Sequence, residues 1–169
     1  MTMSKIGLVL EGGGMKCAYT AGILDAMMDN GVTFDYCIGV SAGSANGVSF
    51  VAGQRGRNIR FYTEHITEKG YFGPSSFFKT GNLFGLQYIY GTLTNSGGAD
   101  PLDFDAFMKS PMEYWLVATD AQTGKPTYFS KKDMHKDDYR HVMASCAIPA
   151  VCRPVEIDGR FYYAGGVTD

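Results

Sequence analysis

Gly39-Val-Ser41-Ala-Gly43 places a serine between two glycines, each two positions away. This is the form taken by a nucleophilic serine on a sharp turn from strand to helix. A hydroxyl at such a corner projects from the backbone, and Gly39 and Gly43 carry no side chain where neighbouring chain must pass close. The helix that follows aims its N-terminal dipole at negative charge developing on a substrate, so the chemistry indicated is acyl transfer. The same five-residue pattern also occurs by chance in ordinary tight turns; its position between a strand and a helix favours the nucleophile.

A second corner, Gly12-Gly-Gly-Met-Lys16, also joins a strand to a helix. Backbone N–H groups at that point face outward and form an anion site. Beside a nucleophile they read as an oxyanion hole built on Gly12, Gly13 and Gly14, with Met15 contributing a further amide. Lys16 would steady a phosphate or another anionic end of the substrate, although an exposed lysine at a helix start is as often merely solvated. The competing reading is a dinucleotide loop, since Gly12-x-Gly14-x-x-Cys17 nearly has that form. Such a loop needs an acidic residue at the end of the second strand, and the chain has Gly39-Val-Ser41 there instead.

The elements that must position these corners follow from the apolar patterning. Ile6 to Leu10 is a short unalternating run, expected to be a strand buried on both faces of a parallel sheet. Met15 to Asn30 carries small and apolar residues at helical spacing and stops at Asn30-Gly31. Phe34 to Val40, then Ala42 to about Gly53, repeats the strand-to-helix order, and two βα units in tandem indicate an α/β sheet. Tyr114 to Ala118 and Pro126 to Phe129 read as further strands, and Val155 to Tyr163 as a hairpin turning at Asp158-Gly159. Between them, residues 71–105 mix Gly, Ser and Asn with aromatic rings, among them Tyr71, Phe72, Phe77, Phe78, Phe84, Tyr88 and Tyr90. That mixture suits a mobile cover over an apolar site, or equally a second small core.

Glu11-Gly-Gly-Gly-Met-Lys-Cys17, the Gly39-Val-Ser41-Ala-Gly43 elbow, Ala118-Thr-Asp-Ala-Gln-Thr-Gly-Lys125, Ala144-Ser-Cys-Ala-Ile-Pro149 and Tyr163-Ala-Gly-Gly166 together resemble the patatin-like phospholipase family of bacteria, over nearly the whole chain. The resemblance implies a three-layer α/β/α sandwich with a mostly parallel central sheet, and hydrolysis of lipid acyl esters by a Ser-Asp dyad. It implies no cofactor and no metal. Family members generally continue beyond the third motif, so this chain reads as lacking its C-terminal part, which would then be a partner segment for an uncovered core.

The chain departs from the family at Cys17, where glycine is usual, and at Ala164, the position of the dyad aspartate. Alanine accepts no proton, and removal of such a member typically costs on the order of 10⁴-fold. Three explanations compete: a substitution made deliberately to silence the enzyme, a natural pseudoenzyme that binds lipid or a partner protein, and takeover by another carboxylate such as Asp169. The intactness of every other element favours the first. A Ser-His-Asp arrangement is the rival, with Ser41, Asp120 and His135 or His141 in the chain order of α/β-hydrolases. Against it, His141 lies within an apparent helix and His135 in a charged stretch. His65, in a polar segment, is expected on the surface.

The composition limits the partners. With 169 residues, 45% hydrophobic and a net charge of -2, the chain has the apolar content of one domain with its own core. It lacks the clustered Lys and Arg that nucleic acid or anionic lipid requires. The run Ile6 to Leu10 is cut off before it could serve as a signal core, and no stretch approaches the roughly 20 apolar residues of a membrane span. The expectation is a cytoplasmic protein whose membrane contact is peripheral. Cys17, Cys37, Cys146 and Cys152 are scattered, without ligand spacing, and are expected as buried thiols.

Overall fold

The computed structural model describes residues 5–169, apart from the side chains of Ser75 and Lys79. Among the described residues six strands form one sheet: β1 (Gly7–Leu10), β2 (Tyr36–Val40), β3 (Glu113–Asp120), β4 (Pro126–Ser130), β5 (Val155–Ile157) and β6 (Arg160–Ala164). β1, β2 and β3 run parallel, with Leu10 beside Gly39 and Gly39 beside Leu116. β4 and β6 both pair with β3 antiparallel, and β5 with β6 likewise. The parallel character expected from the tandem βα units therefore holds for the first three strands, and the sheet as a whole is mixed. Short hairpins join β3 to β4 and β5 to β6, and such hairpins can only join antiparallel neighbours.

A 3₁₀ turn at Gly14–Cys17 leads into α1 (Ala18–Asp29), and α2 (Ala42–Val51) follows β2. Then come α3 (Arg57–Thr63), α4 (Pro74–Thr80), the short α5 (Leu86–Tyr88) running into a π turn at Ile89–Leu93, α6 (Phe104–Lys109) and α7 (Arg140–Cys146). The crossovers β1-α1-β2 and β2-α2-β3 advance across the sheet in one direction, so their common hand places both helices on one face. Leu24 of α1, Val48 and Val51 of α2, Phe107 of α6 and Val142 of α7 meet Leu10, Cys37, Tyr114 and Leu116 of the sheet in one core. Each such side chain contributes roughly 1.5–3 kcal/mol by leaving water.

Of the three expected layers, the described residues supply the sheet and one helical layer. The opposite face of the sheet is open over β1, the start of β3 and β4, where Val9 is 72% exposed, Trp115 36% and Tyr128 49%, while Val117 and Thr119 further along β3 are buried by the chain at 165–168. The expectation that Ile6 to Leu10 is buried on both faces is thereby corrected. The run lacks alternation because both sets of its side chains are apolar, but helices cover only one set.

Residues 71–105 do two things. Tyr71, Ile89 and Leu93 join Phe61 in a second small cluster, while Phe72 and Phe78 stay exposed. His65 is buried, contrary to its expected surface place. Its Nε2 meets Asp100 Oδ2 at 3.1 Å and its Nδ1 meets Glu68 Oε1 at 2.6 Å. Arg60 holds the Asp100 carboxylate through two bonds of 2.7 and 2.8 Å. Burial pushes the Asp100 carboxyl up, but the hydrogen bonds from Arg60 and His65 outweigh it and hold the group below its ordinary value.

Candidate active site

Ser41 sits at the end of β2 with φ 53° and ψ -126°, a strained conformation for a residue with a side chain. Its backbone is held from both sides. The Ser41 N–H donates to Ser145 Oγ at 2.9 Å, and its carbonyl accepts from the Ser44 hydroxyl at 2.6 Å. Tight passage of neighbouring chain explains the flanking glycines. A methyl at residue 43 would lie 2.2 Å from the Leu10 carbonyl oxygen, and one at residue 39 would lie 2.6 Å from the backbone of Ser44.

The glycine turn touches this corner. A Cβ on Gly12 would stand 3.1 Å from the Ser41 Cβ, so the two corners are in contact. The Lys16 N–H is used within the turn, donating to the Gly13 carbonyl at 3.1 Å. Among the described residues no acceptor takes the amides of Gly13, Gly14 and Met15, as expected for the first N–H groups of a helix. The Lys16 side chain is exposed and forms no ion pair among the described residues. Gly14, Met15 and Ser41 border a cavity of about 100 Å³ walled mainly by apolar side chains, including Val48, Ile89 and Val142. Tyr71, Phe84 and Tyr90, from the aromatic segment, also line it.

Position 164 lies at the same level of the sheet. Val40 pairs with Val117, and the next residue of β3, Ala118, pairs with Ala164. Two strand spacings of about 4.8 Å thus separate the chain at Ser41 from the chain at residue 164. The Ala164 N–H donates to the Ala147 carbonyl, and its own carbonyl accepts from Thr119 Oγ1, both at 2.8 Å. The end of α7 therefore ties both positions at once, Ser145 to residue 41 and Ala147 to residue 164. Ser145 has no exposure at all. A hydroxyl and free amides meet at the mouth of an apolar cavity; among the described residues no carboxylate or imidazole hydrogen-bonds the Ser41 hydroxyl.

The model of the patatin-like phospholipase family matches residues 8–169. The chain belongs to the patatin-like phospholipase family. Its relatives include the uncharacterized protein YjjU of Escherichia coli, 31% identical over 170 positions that cover 98% of this chain and 46% of that protein. An uncharacterized NTE family protein of Mycobacterium tuberculosis H37Rv is 25% identical over 168 positions, covering 98% of this chain and 43% of the relative. The chain thus spans less than half the length of the curated relatives it matches. VipD from Legionella pneumophila shares the patatin-like fold, with a TM-score of 0.63 and 12% identity over 98% of this chain and 46% of that one.

The other acids and bases weighed from the sequence of this patatin-like chain stand apart from one another. Backbone amides of Thr123 and Gln122 hold the Asp120 carboxylate below its ordinary value, and Arg160 pairs with it at 2.6 Å. His141 is buried edge-on against Phe129, 4.7 Å between ring centres, with Nδ1 unpartnered; burial lowers its pKa. His135 is exposed, and Asp169 accepts from the Tyr128 hydroxyl at 2.6 Å. Neither the histidine triad nor the Asp169 takeover is assembled in this structure. The four cysteines are free thiols. Burial pushes Cys37 up to about 12 and Cys146 up to about 11, which leaves both inert.

Three residues of this patatin-like site were not singled out in the sequence: Ser145, Arg57 and Tyr139. Ser145 had a signal, since it belongs to the Ala144-Ser-Cys-Ala-Ile-Pro149 block. Arg57 and Tyr139 had none, because both owe their place to contacts distant in sequence.

Proposed function

We propose that this site is that of a serine acyl hydrolase acting on lipid acyl esters, with Ser41 as nucleophile. The contact between the two glycine corners carries the reading. It sets a strained serine against unpaired amides at the mouth of an apolar cavity. In the working arrangement a carboxylate at position 164 takes the proton from the Ser41 hydroxyl, and the alkoxide attacks the acyl carbonyl. The amides of Gly13, Gly14 and Met15 receive the oxyanion, and the alcohol leaves with a proton. Water then frees the acid by the same route. The aromatic segment 71–105 serves as cover for the acyl chain, and Lys16 meets the anionic part of the substrate outside the cavity.

In this chain Ala164 withholds the proton acceptor, so turnover is impaired. The same residue favours a second reading, retention of lipid or partner binding without catalysis. Release of p-nitrophenol from a short-chain ester separates the two. We expect traces from the chain as it stands, a gain of about 10³–10⁴-fold in Ala164→Asp, and loss of that gain when Ser41→Ala is added. Equal rates in all three proteins would refute the dyad.

A further inference from the structure

The cavity beside Ser41 changes character along its length, and two helices measure the change. α2 follows directly on Ser41 and carries Ser49, whose hydroxyl accepts from Arg57 Nη1 at 2.8 Å. Eight residues at 1.5 Å each put Arg57 about 12 Å along the helix from the nucleophile. α7 runs the other way. Its Ser145 touches Ser41, and Tyr139 precedes its first turn, six residues or about 9 Å off. Arg57 and Tyr139 both line the cavity, with Thr94, so its far end is polar while its walls are apolar.

Those far groups are not all satisfied. Arg57 is 4% exposed and Tyr139 2%. Arg57 gives its Nη groups to Ser49, Thr94 Oγ1 and the Asp100 carbonyl. Among the described residues its Nε has no hydrogen-bond acceptor and the Tyr139 O–H finds none either, although the Asp137 backbone N–H lies against the hydroxyl oxygen. Asp100 Oδ1, 3.5 Å from Nε, balances the charge without completing a bond. What is left at the cavity floor is one N–H and one O–H, each a donor without an acceptor. A neutral hydroxyl answers both; an apolar chain end answers neither and leaves two buried polar groups unpaired. The volume of about 100 Å³ is smaller than the roughly 150 Å³ cavity that admits one benzene, so nothing broader than a single unbranched chain enters it.

We propose that the acyl group this site takes is a slender chain with a hydroxyl at its far end, received by Tyr139 Oη and Arg57 Nε. The proposal rests on the reading of Ser41 as nucleophile only in naming the ligand an acyl chain. Its test therefore uses binding, which needs no chemistry at Ser41. Calorimetric titration of this chain would compare 6-hydroxyhexanoate with hexanoate and 8-hydroxyoctanoate with octanoate, lengths chosen because an extended chain advances about 1.2 Å per bond. The hydroxylated acid should bind about tenfold more tightly at one of the two lengths, the size of one net hydrogen bond. Tyr139→Phe, checked for an unchanged melting transition, should remove most of that preference. Equal or tighter binding of the plain acids at both lengths, no binding of any acid, or a preference that survives Tyr139→Phe would overturn the proposal, the first being the result for a floor met by ordered water. A failure of ester hydrolysis alongside a retained hydroxyl preference would remove the activity and leave the cavity assignment standing.

Discussion

Position 41 and position 164 are held with equal care and carry opposite contents. Each has its backbone bonded to the end of α7, Ser41 through Ser145 and Ala164 through Ala147, and each has its carbonyl engaged by a hydroxyl, from Ser44 and Thr119 respectively. At the first position a nucleophile occupies the prepared place. At the second a methyl group does. The contrast shows that the placement of a reacting group and the group itself are separable: hydrogen bonds of the backbone set the geometry, and they do not depend on which side chain the residue bears.

The sharpest way to break this comparison is to equalise the two positions. Ala164→Asp should raise ester turnover by about 10³–10⁴-fold if the place is already prepared, and a gain below tenfold would mean that the backbone at 164 does not aim its side chain at Ser41. Next in size is Gly43→Ala. The added methyl meets the Leu10 and Glu11 carbonyl oxygens at 2.2 and 2.6 Å, and neither backbone can swing aside. We expect a loss of about 3 kcal/mol or more, read by urea denaturation.

Smaller, and more specific to the shared tether, is Ser145→Ala in the Ala164→Asp background. It leaves the Ser41 N–H without its acceptor, so kcat should fall about 10–100-fold with KM nearly unchanged. Ser145→Thr, which keeps the hydroxyl, should recover part of the loss; a fall in KM and kcat together with a lowered melting temperature would mark Ser145 as merely structural. The smallest effect is expected from His141→Ala in the same background. That ring lies against Phe129 and away from the cavity, so kcat/KM should change by no more than about threefold, against the 10⁴-fold loss a catalytic base would show.

Both corners were legible in the sequence because their constraints are local. A strand, a glycine-framed residue and a helix follow within a dozen positions, and the reasons for Gly39 and Gly43 are backbone approaches that no side chain tolerates. The βα order and the hairpin at Asp158-Gly159 were readable for the same reason. What escaped is long-range. His65 looks solvated beside Arg60, Glu64 and Glu68, and only the return of the chain at Asp100 buries it. The Arg57 guanidinium enters the cavity floor through partners at 49, 94 and 100. The switch from parallel to antiparallel pairing after β3 depends on connection lengths that hydrophobic patterning does not record.

The open face of the sheet has a practical consequence. The chain contains one tryptophan, and Trp115 stands on that face, 36% exposed. Its indole is therefore a built-in optical gauge of the far side of the molecule. Emission should sit towards the red and yield to aqueous quenchers while water reaches the ring, and it should move to the blue when any polypeptide or lipid settles over it. Events in the cavity, behind the sheet, would leave that signal unchanged, so occupancy of the two sides can be followed separately in one sample.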